Sequence, residues 1–226
     1  MTDIPSNPSD APTAADLETL SRQLGRPVRD VVAISARCIC GNPLVAATAP
    51  RLSNGTPFPT TFYLTHPVIT SAVSRLEAAG LMAEMNERLT ADPELAAAYR
   101  RAHEAYLAAR GEVGRRAGTG PVPEIDGVSA GGMPSRVKCL HVLVGQSLAL
   151  GPGANPLGDE AIEALSEWWT ADRCYCGGAW DTAGAVPDQD LSRHGPQGLP
   201  SMTGRASPQR NRPAGPENAA NEGRAQ

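Results

Sequence analysis

Residues 60–80, TTFYLTHPVITSAVSRLEAAG, contain the two patterns that decide the fold class of this chain. The first pattern, at residues 60–64, is rich in β-branched and aromatic side chains and predicts a β-strand. Thr65-His66-Pro67 then predicts the start of a helix, because proline is favoured at the first helical position. Apolar side chains at helical spacing continue to Gly80. A strand followed at once by an amphipathic helix indicates a domain in which helices pack against a sheet.

Two more strands are predicted before this stretch. The β-branched run at residues 31–34 predicts the first, and the apolar run at residues 44–48 predicts the second. Asn54-Gly55 predicts a turn before the third strand. Short connections of this kind are typical of antiparallel neighbours, so we expect a small antiparallel sheet of about three strands.

Helical periodicity accounts for most of the remaining chain. The predicted helices cover residues 14–24, 67–80, 81–89, 92–107, 135–150 and 159–169. The glycine-rich stretch 111–127 predicts a loose connection. The apolar run 140–150 is far shorter than the roughly 20 residues that a membrane-spanning helix needs, so it predicts a buried helix. The expected fold class is therefore α+β, with the small sheet packed against five to six helices.

Both ends of the chain differ in composition from its centre. Residues 1–12 are acidic and rich in Pro and Ser, and residues 183–226 contain no aromatic residue, so neither segment can offset chain entropy by burial. We therefore expect a disordered lead at 1–12, a single α+β domain at 13–180 and a disordered Gly/Pro-rich tail at 181–226. Residues 1–12 also show neither the basic nor the apolar region of a secretory signal, which predicts a cytoplasmic protein.

The net charge limits the kinds of partner that we expect, and the cysteine content limits the kinds of site. The chain has 226 residues, 20 Lys and Arg against 24 Asp and Glu, and a formal net charge of −4. This mildly acidic balance, without a basic stripe, argues against nucleic-acid partners and against anionic membrane surfaces. The five cysteines are expected to be thiols or metal ligands rather than disulfides, because the expected compartment is reducing.

Four of the cysteines occur in two near-identical pentapeptides, RCICG at residues 37–41 and RCYCG at residues 173–177. The four thiols belong to Cys38, Cys40, Cys174 and Cys176. Four thiolates are what a closed tetrahedral zinc site requires, provided that the two pairs meet in space, so zinc is the candidate cofactor. The alternatives are four thiols without a metal, or a redox disulfide within one pair.

A glycine-rich approach leads to the helix predicted from residue 135. Gly131 and Gly132 direct backbone N–H groups toward a helix start that carries Arg136 and Lys138, and such a terminus favours anions. The leading functional hypothesis is therefore a small anionic ligand, for example a phosphate-containing one, bound at this loop. The residues predicted to bind it are Gly131, Gly132, Ser135, Arg136, Lys138 and His141. The alternative is an ordinary capped helix whose glycines only turn the chain.

Cys139 is the candidate catalytic residue of a third hypothesis, a cysteine-dependent enzyme. A cysteine nucleophile needs a base, but His141 would point to nearly the opposite side of a regular helix. His66 or His103 would have to approach through the fold instead. Considered separately, His66 is expected to cap or pack at a strand end, and His103 to lie on a solvated helix face. The alternative for Cys139 is an inert core cysteine.

Tryptophans mark the C-terminal end of the predicted domain. Trp168, Trp169 and Trp180 are expected to close the core as an apolar lid. The alternative is a partner-binding surface at the Trp168/Trp169 end. Together with the thiolate site, that surface describes a structural zinc-bearing protein-interaction module.

Several short segments resemble one known family. They are TAPRL (48–52), NGTPFPT (54–60), SRLE (74–77), SAGGMP (129–134), RVKCLH (136–141) and NPLGD (155–159). Through them, residues 17–165 are similar to the bacterial domain of unknown function 501 family. The resemblance implies an uncharacterised cytoplasmic role in a family common in actinobacteria, whose genes tend to lie near those of a septum-formation initiator and an exopolyphosphatase-type protein. It thus links the interaction hypothesis to cell division, and it carries over no catalytic residue.

The chain departs from the family pattern at two places. The family has Cys-Pro-x-Gly where this chain has CICG at residues 38–41, and often has His at the position of Gln146. The resemblance therefore implies that Cys40 and the cysteines at 174–176 are particular to this protein. The block 131–141, by contrast, belongs to the family.

Overall fold

The computed structural model describes residues 11–178, which contain three β-strands, six α-helices and one short 3-10 helix. The strands are β1 (Val31–Arg37), β2 (Pro43–Thr48) and β3 (Phe62–Leu64). The helices are α1 (Ala14–Leu24), α2 (Pro67–Ala78), α3 (Leu81–Ala91), α4 (Pro93–Ala117), α5 (Leu140–Leu150) and α6 (Pro156–Ala164), with the 3-10 helix at Pro123–Ile125. The predicted α+β class is confirmed. Segments 1–10 and 179–226, with Trp180, lie outside the described residues, so the disorder predicted for the two ends stays a prediction.

The sheet is antiparallel throughout and has the order β1-β2-β3. Strand β2 is buried at every residue, because it has a neighbour on each edge and carries the apolar sequence PLVAAT. Val45 of β2 lies opposite Ala36 of β1 and Leu64 of β3, which sets the register of all three strands. Register shifts between β1 and β2 introduce bulges that bend β1.

Helix α5 is the main helical partner of the sheet. Leu140, Leu143 and Val144 are fully buried, and the helix packs against β3 and α6. Gly145 permits the close approach, because a Cβ at that residue would lie 2.9 Å from the carbonyl oxygen of Phe62. The prediction of a buried helix over 140–150 is therefore confirmed. Among residues 11–178, none of the helices combines the length and hydropathy that a membrane crossing requires.

Helix α4 is longer than the sequence predicts, because it continues into the stretch 111–127 that was expected to be a loose connection. Gly114 is buried in this helix, and a Cβ there would lie 3.1 Å from the Cγ of Pro50. Arg110 is also buried and donates a hydrogen bond of 2.7 Å to the carbonyl oxygen of Ile125. The contacts of Gly114 with Pro50 and of Arg110 with Ile125 therefore outweigh the low helix propensity of glycine.

Helix α5 begins at Leu140, so the predicted start at Ser135 is wrong. The backbone N–H of Lys138 donates to the carbonyl oxygen of Gly131, at 2.7 Å. The N–H of Arg136 makes one helix-like bond, to the carbonyl oxygen of Gly132 at 3.2 Å, but the Lys138 bond spans seven residues and closes a loop rather than a second helical turn. The residues predicted as a helix start therefore lie on a loop.

Helix α6 also differs from its predicted range, 159–169. Asn155 caps the helix earlier, since its side chain accepts hydrogen bonds from the N–H groups of Leu157 and Gly158. The helix ends at Ala164, and turns follow it to residue 168. The early end leaves residues 170–178 as a segment without helix or strand.

Helix α1 is joined to the sheet by a bidentate ion pair. The guanidinium of Arg37 at the end of β1 lies 2.6 and 3.0 Å from the two carboxylate oxygens of Asp16. Thr13 caps the helix as predicted and forms a capping box with Asp16. The hydrogen bonds from Arg37 hold the pKa of Asp16 well below its usual range, against the effect of burial. Arg37 directly precedes Cys38, so this pair also positions the first cysteine pentapeptide.

Candidate functional site

Four thiols converge where β1 turns into β2. Their Sγ atoms all lie within 4.8 Å of one another. This four-thiol cluster consists of Cys38, Cys40, Cys174 and Cys176. The Sγ atoms of Cys40 and Cys176 are 3.4 Å apart. Four sulfurs bound to a tetrahedral zinc lie about 3.8 Å apart, as follows from a zinc–sulfur distance of roughly 2.3 Å, so the cluster has the dimensions of such a centre.

The first two thiols are held by the tight turn between β1 and β2. The N–H of Cys38 donates to the carbonyl oxygen of Asn42, and the N–H of Gly41 donates to that of Cys38, each at 2.8 Å. Gly41 has a φ of +90°, which glycine adopts without a Cβ clash. The Arg37 side chain adds a bond of 2.8 Å to the Gly41 carbonyl oxygen. The turn places Cys38 in the core and leaves Cys40 exposed.

The other two thiols come from the segment after α6. Trp169 is only 2% exposed and anchors the start of this segment in the core. Further along, Cys174 is exposed and Cys176 is buried, and the N–H of Cys176 lies 3.5 Å from the sulfur of Cys174. Because residues 170–178 form no helix or strand, side-chain contacts at the thiols join this segment to the β1–β2 turn.

His66 is a neighbour of the four-thiol cluster that the sequence did not indicate. It is fully buried, and its Nε2 lies 3.5 Å from the Sγ of Cys176. Burial lowers the pKa of His66 to about 4, so the ring is neutral near pH 7 and carries one N–H. A proton at Nε2 would donate to the sulfur of a Cys176 thiolate, as groups around metal ligands do.

Burial and hydrogen bonding give the thiols of the cluster different pKa values. For Cys40, burial is outweighed by the Asn42 N–H and by the neighbouring thiols, which lower its pKa to about 7. Burial raises the pKa of Cys38 and raises that of Cys176 well above its usual range. Cys40 is therefore the first of these three to ionise, and a cation is needed to hold the buried two as thiolates near pH 7.

A cleft of about 450 Å³ opens between α1 and the four-thiol cluster. One wall carries Cys40 and Cys174, and the other carries polar side chains of α1 that include Glu18 and Arg22. The cleft gives solvent and metal ions a path to the two exposed thiols.

A second group of metal-binding side chains lies at the start of α5. This three-ligand cluster consists of Glu77, Cys139 and His141, whose ligand atoms lie within 4.8 Å of one another and whose side chains are half-buried. Nδ1 of His141 is 3.1 Å from Oε1 of Glu77 and 3.9 Å from Sγ of Cys139. The expectation that Cys139 and His141 point apart is wrong, because Cys139 precedes the helix in an extended conformation.

Both ring nitrogens of His141 face hydrogen-bond acceptors. Nδ1 faces the Glu77 carboxylate, and Nε2 lies 3.1 Å from the carbonyl oxygen of Thr70. Hydrogen bonding to Cys139, together with the charge of Glu77, outweighs burial and raises the pKa of His141 to about 9. The Glu77 carboxylate therefore competes with Cys139 for Nδ1 of His141, the atom that a cysteine nucleophile would need as its base.

The other two histidines named as candidate bases are engaged elsewhere. His66 lies against Cys176, and Nδ1 of His103 is 2.8 Å from the hydroxyl oxygen of Ser129. His103 is thus only partly on the solvated face predicted for it. The cysteine-dependent enzyme stays a prediction.

Comparison with known proteins places the chain in a family. A family model described as "Protein of unknown function (DUF501)" matches residues 34–163, which is more than half of the sequence. The chain belongs to the DUF501 family. The resemblance predicted from the short segments is therefore confirmed. No curated protein and no solved structure matches the chain significantly.

The region matched to the DUF501 family contains all of one cluster and only part of the other. All of the three-ligand cluster lies within residues 34–163, whereas Cys174 and Cys176 lie beyond the end of the match. The four-thiol cluster is therefore completed by residues outside the matched DUF501 region.

Of the residues predicted to bind an anion, His141 lies in the first turn of α5 and the others lie on the loop before that helix. Ser135, Arg136 and Lys138 are exposed. The first N–H of the helix, at Leu140, donates to Oε1 of Glu77 at 2.7 Å. The helix start therefore already holds a carboxylate, and binding of an external anion at this loop stays a prediction.

The tryptophans of this DUF501 protein divide between core and surface. Trp169 is part of the core, in keeping with the expected lid. Trp168 is half-buried, and the guanidinium carbon of Arg75 lies 5.5 Å from its ring centroid. Within residues 11–178, Trp168 is thus the part of the predicted tryptophan surface that a partner can reach.

Proposed function

We propose that this DUF501 protein is a zinc-binding module in which a four-thiolate centre fixes residues 170–178 to the sheet. The observation that carries the proposal is the convergence of four Sγ atoms, from residues 38–40 and 174–176, within 4.8 Å. Thiolates are soft ligands that zinc prefers, and four of them complete its tetrahedral shell. A complete shell leaves no position for a substrate, so the role of the metal is structural.

A bound cation offsets the cost of ionising the buried thiols of the cluster. Burial opposes ionisation of Cys38 and Cys176, since it raises the pKa of each thiol. A zinc ion supplies the positive charge that makes their thiolates stable inside the protein. The free energy of metal binding then adds to the stability of the folded state.

A protein-interaction role follows from what the centre holds in place. Ile39 lies at the tip of the β1–β2 turn, between two of the thiols, and is 64% exposed. Trp168 lies two residues before the other segment that the centre fixes. We expect a protein partner to contact these apolar side chains, and the family resemblance links that partner to cell division. An Ile39→Ser variant that captures every partner of the wild type in a pull-down argues against this surface.

The zinc centre is tested by metal analysis of untagged protein purified without chelator. We expect the Cys174→Ser/Cys176→Ser variant to hold about one zinc ion fewer per chain than the wild type. Equal zinc contents in the two proteins would show that the four-thiol cluster binds none. A thiol count under denaturing conditions separates the disulfide alternative, because a disulfide within either cysteine pair removes two free thiols and a metal removes none.

A small anionic ligand at the loop before α5 is the second candidate function. The observation that favours it is the exposure of Arg136 and Lys138, which stand two residues apart on the loop. A thermal-shift screen of phosphates and nucleotides tests it, because a ligand of the folded state raises the melting temperature. The shift should vanish in Arg136→Ala/Lys138→Ala and persist in Arg116→Ala, which removes an exposed arginine from α4.

A further inference from the structure

The three-ligand cluster combines a carboxylate, a thiol and an imidazole from separate parts of the chain. Glu77 lies in the last turn of α2, Cys139 directly precedes α5, and His141 is in its first turn. The zinc centre proposed above shares none of these residues. Capping of α5 explains the position of the Glu77 carboxylate, but it requires neither the thiol nor the imidazole.

The ligand atoms have spacings that suit one metal ion. Nδ1 of His141 is 3.1 Å from Oε1 of Glu77 and 3.9 Å from Sγ of Cys139. Two ligands of a tetrahedral zinc ion lie about 3.3 Å apart for nitrogen and oxygen, and about 3.6 Å apart for nitrogen and sulfur, given the usual bond lengths. The observed distances therefore require only small side-chain movements to accommodate an ion.

Two of the ligands are held in place by hydrogen bonds of the kind found around metal sites. Nε2 of His141 lies 3.1 Å from the carbonyl oxygen of Thr70, which orients Nδ1 toward the cluster. Oε1 of Glu77 accepts from the N–H of Leu140 at 2.7 Å. A carboxylate has about four lone-pair sites, so this bond leaves capacity for a metal.

We propose that Glu77, Cys139 and His141 form a second metal site, which binds a divalent transition metal such as zinc with three protein ligands. Imidazole and thiolate favour zinc over magnesium or calcium. Three protein ligands leave a fourth position for water or a small anion, which is the arrangement of exchangeable rather than purely structural zinc sites. All three side chains are half-buried, so solvent contacts the cluster.

Cobalt titration of the Cys174→Ser/Cys176→Ser variant tests this site separately from the four-thiol cluster. Cobalt is the probe because a bound thiolate gives it a charge-transfer absorption. We expect about one cobalt ion per chain with that absorption. Adding His141→Ala should abolish cobalt binding and the charge-transfer absorption. Adding Ser74→Ala should retain the bound cobalt and the absorption, because the Ser74 hydroxyl lies 3.4 Å from Nε2 of His141 but is not one of the ligands.

Glu77→Gln separates metal binding from capping. The glutamine oxygen can still accept the Leu140 N–H, so the helix start is preserved while the anionic ligand is lost. We expect cobalt affinity to fall by at least the roughly 10- to 100-fold that loss of a supporting residue costs. Equal cobalt binding with and without His141, or none in the folded parent variant, would overturn the proposal. If the parent variant does not fold, the zinc content per chain is measured in otherwise wild-type protein with and without His141→Ala. Loss of about one zinc ion per chain is then the expected result and an equal zinc content the contrary one.

The outcome is independent of the proposed function. Loss of zinc on removal of Cys174 and Cys176 reports the four-thiol cluster alone. Loss of cobalt on removal of His141 reports the three-ligand cluster alone.

Discussion

The carboxylate of Glu77 accepts a hydrogen bond of 2.7 Å from the backbone N–H of Leu140, the first residue of α5. The start of a helix attracts negative charge, and the sequence predicted an external anion near this helix. In the folded protein, a residue 63 positions earlier in the chain supplies the charge. The nearest anion at this helix start is therefore part of the protein, and binding of an external anion at the preceding loop stays a prediction.

Removing the Glu77 carboxylate should destabilise the fold. Glu77→Ala leaves the Leu140 N–H without this acceptor and removes the charge beside His141, so the free energy of unfolding in urea should fall by about 1–3 kcal/mol. Glu77→Gln keeps an acceptor and should lose less than half of that. Equal losses for the two variants would show that the charge rather than the cap is what stabilises the protein.

The Asp16–Arg37 pair should make stability depend on acidic pH. The pKa of Asp16 is lowered in the folded state, so its contribution is present above its unfolded pKa, near 4, and is lost as the pH falls through the folded value. Asp16→Asn should cost about 1–3 kcal/mol at pH 7 and show a shallower decline in unfolding free energy below about pH 4. Parallel pH profiles for wild type and variant would contradict this assignment.

Two helical glycines should respond in opposite directions to alanine. Gly111 in α4 has no atom within 4 Å of an added Cβ, so Gly111→Ala should stabilise the protein by about 0.5–1 kcal/mol through helix propensity. A Cβ at Gly145 meets the Phe62 carbonyl oxygen, so Gly145→Ala should cost about 1–3 kcal/mol. Thermal unfolding of the pair measures both, and a stabilised Gly145→Ala would mean that α5 does not pack this closely on β3.

Metal removal should expose the second cysteine pentapeptide to protease. Arg173 is exposed and lies in a segment without helix or strand, next to a thiol of the proposed centre. Chelation, or the Cys174→Ser/Cys176→Ser substitution, should therefore speed trypsin cleavage after Arg173 at least several-fold. Cleavage at Arg115, inside α4, is the internal reference. Unchanged cleavage at Arg173 would indicate that no metal fixes this segment.

Local sequence determined most of the secondary structure. Thr13, Gly25 and the residues between them predicted α1 with its observed bounds, because both caps and the apolar periodicity are encoded within a dozen residues. The strands and α2 were predicted for the same reason. Helix α4 was predicted too short, since its continuation depends on burial of Gly114 against Pro50, a contact with a distant part of the chain.

The candidate sites, like the secondary structure, depend partly on local sequence and partly on tertiary contacts. The sequence by itself determined which residue types could bind a metal: the repeated pentapeptides named all four thiols, whereas the expected helix geometry wrongly separated Cys139 from His141. Only the tertiary structure decided which of them meet. Whether Cys40 contacts Cys176 depends on how 135 intervening residues fold, and no local pattern specifies that distance. Cys139 approaches His141 because a loop bond from Lys138 to Gly131 delays the start of the helix to Leu140. Glu77 belongs to the three-ligand cluster and His66 contacts the four-thiol cluster, because α2 packs beside both. Core burial sets this long-range arrangement, and spacing along the chain does not.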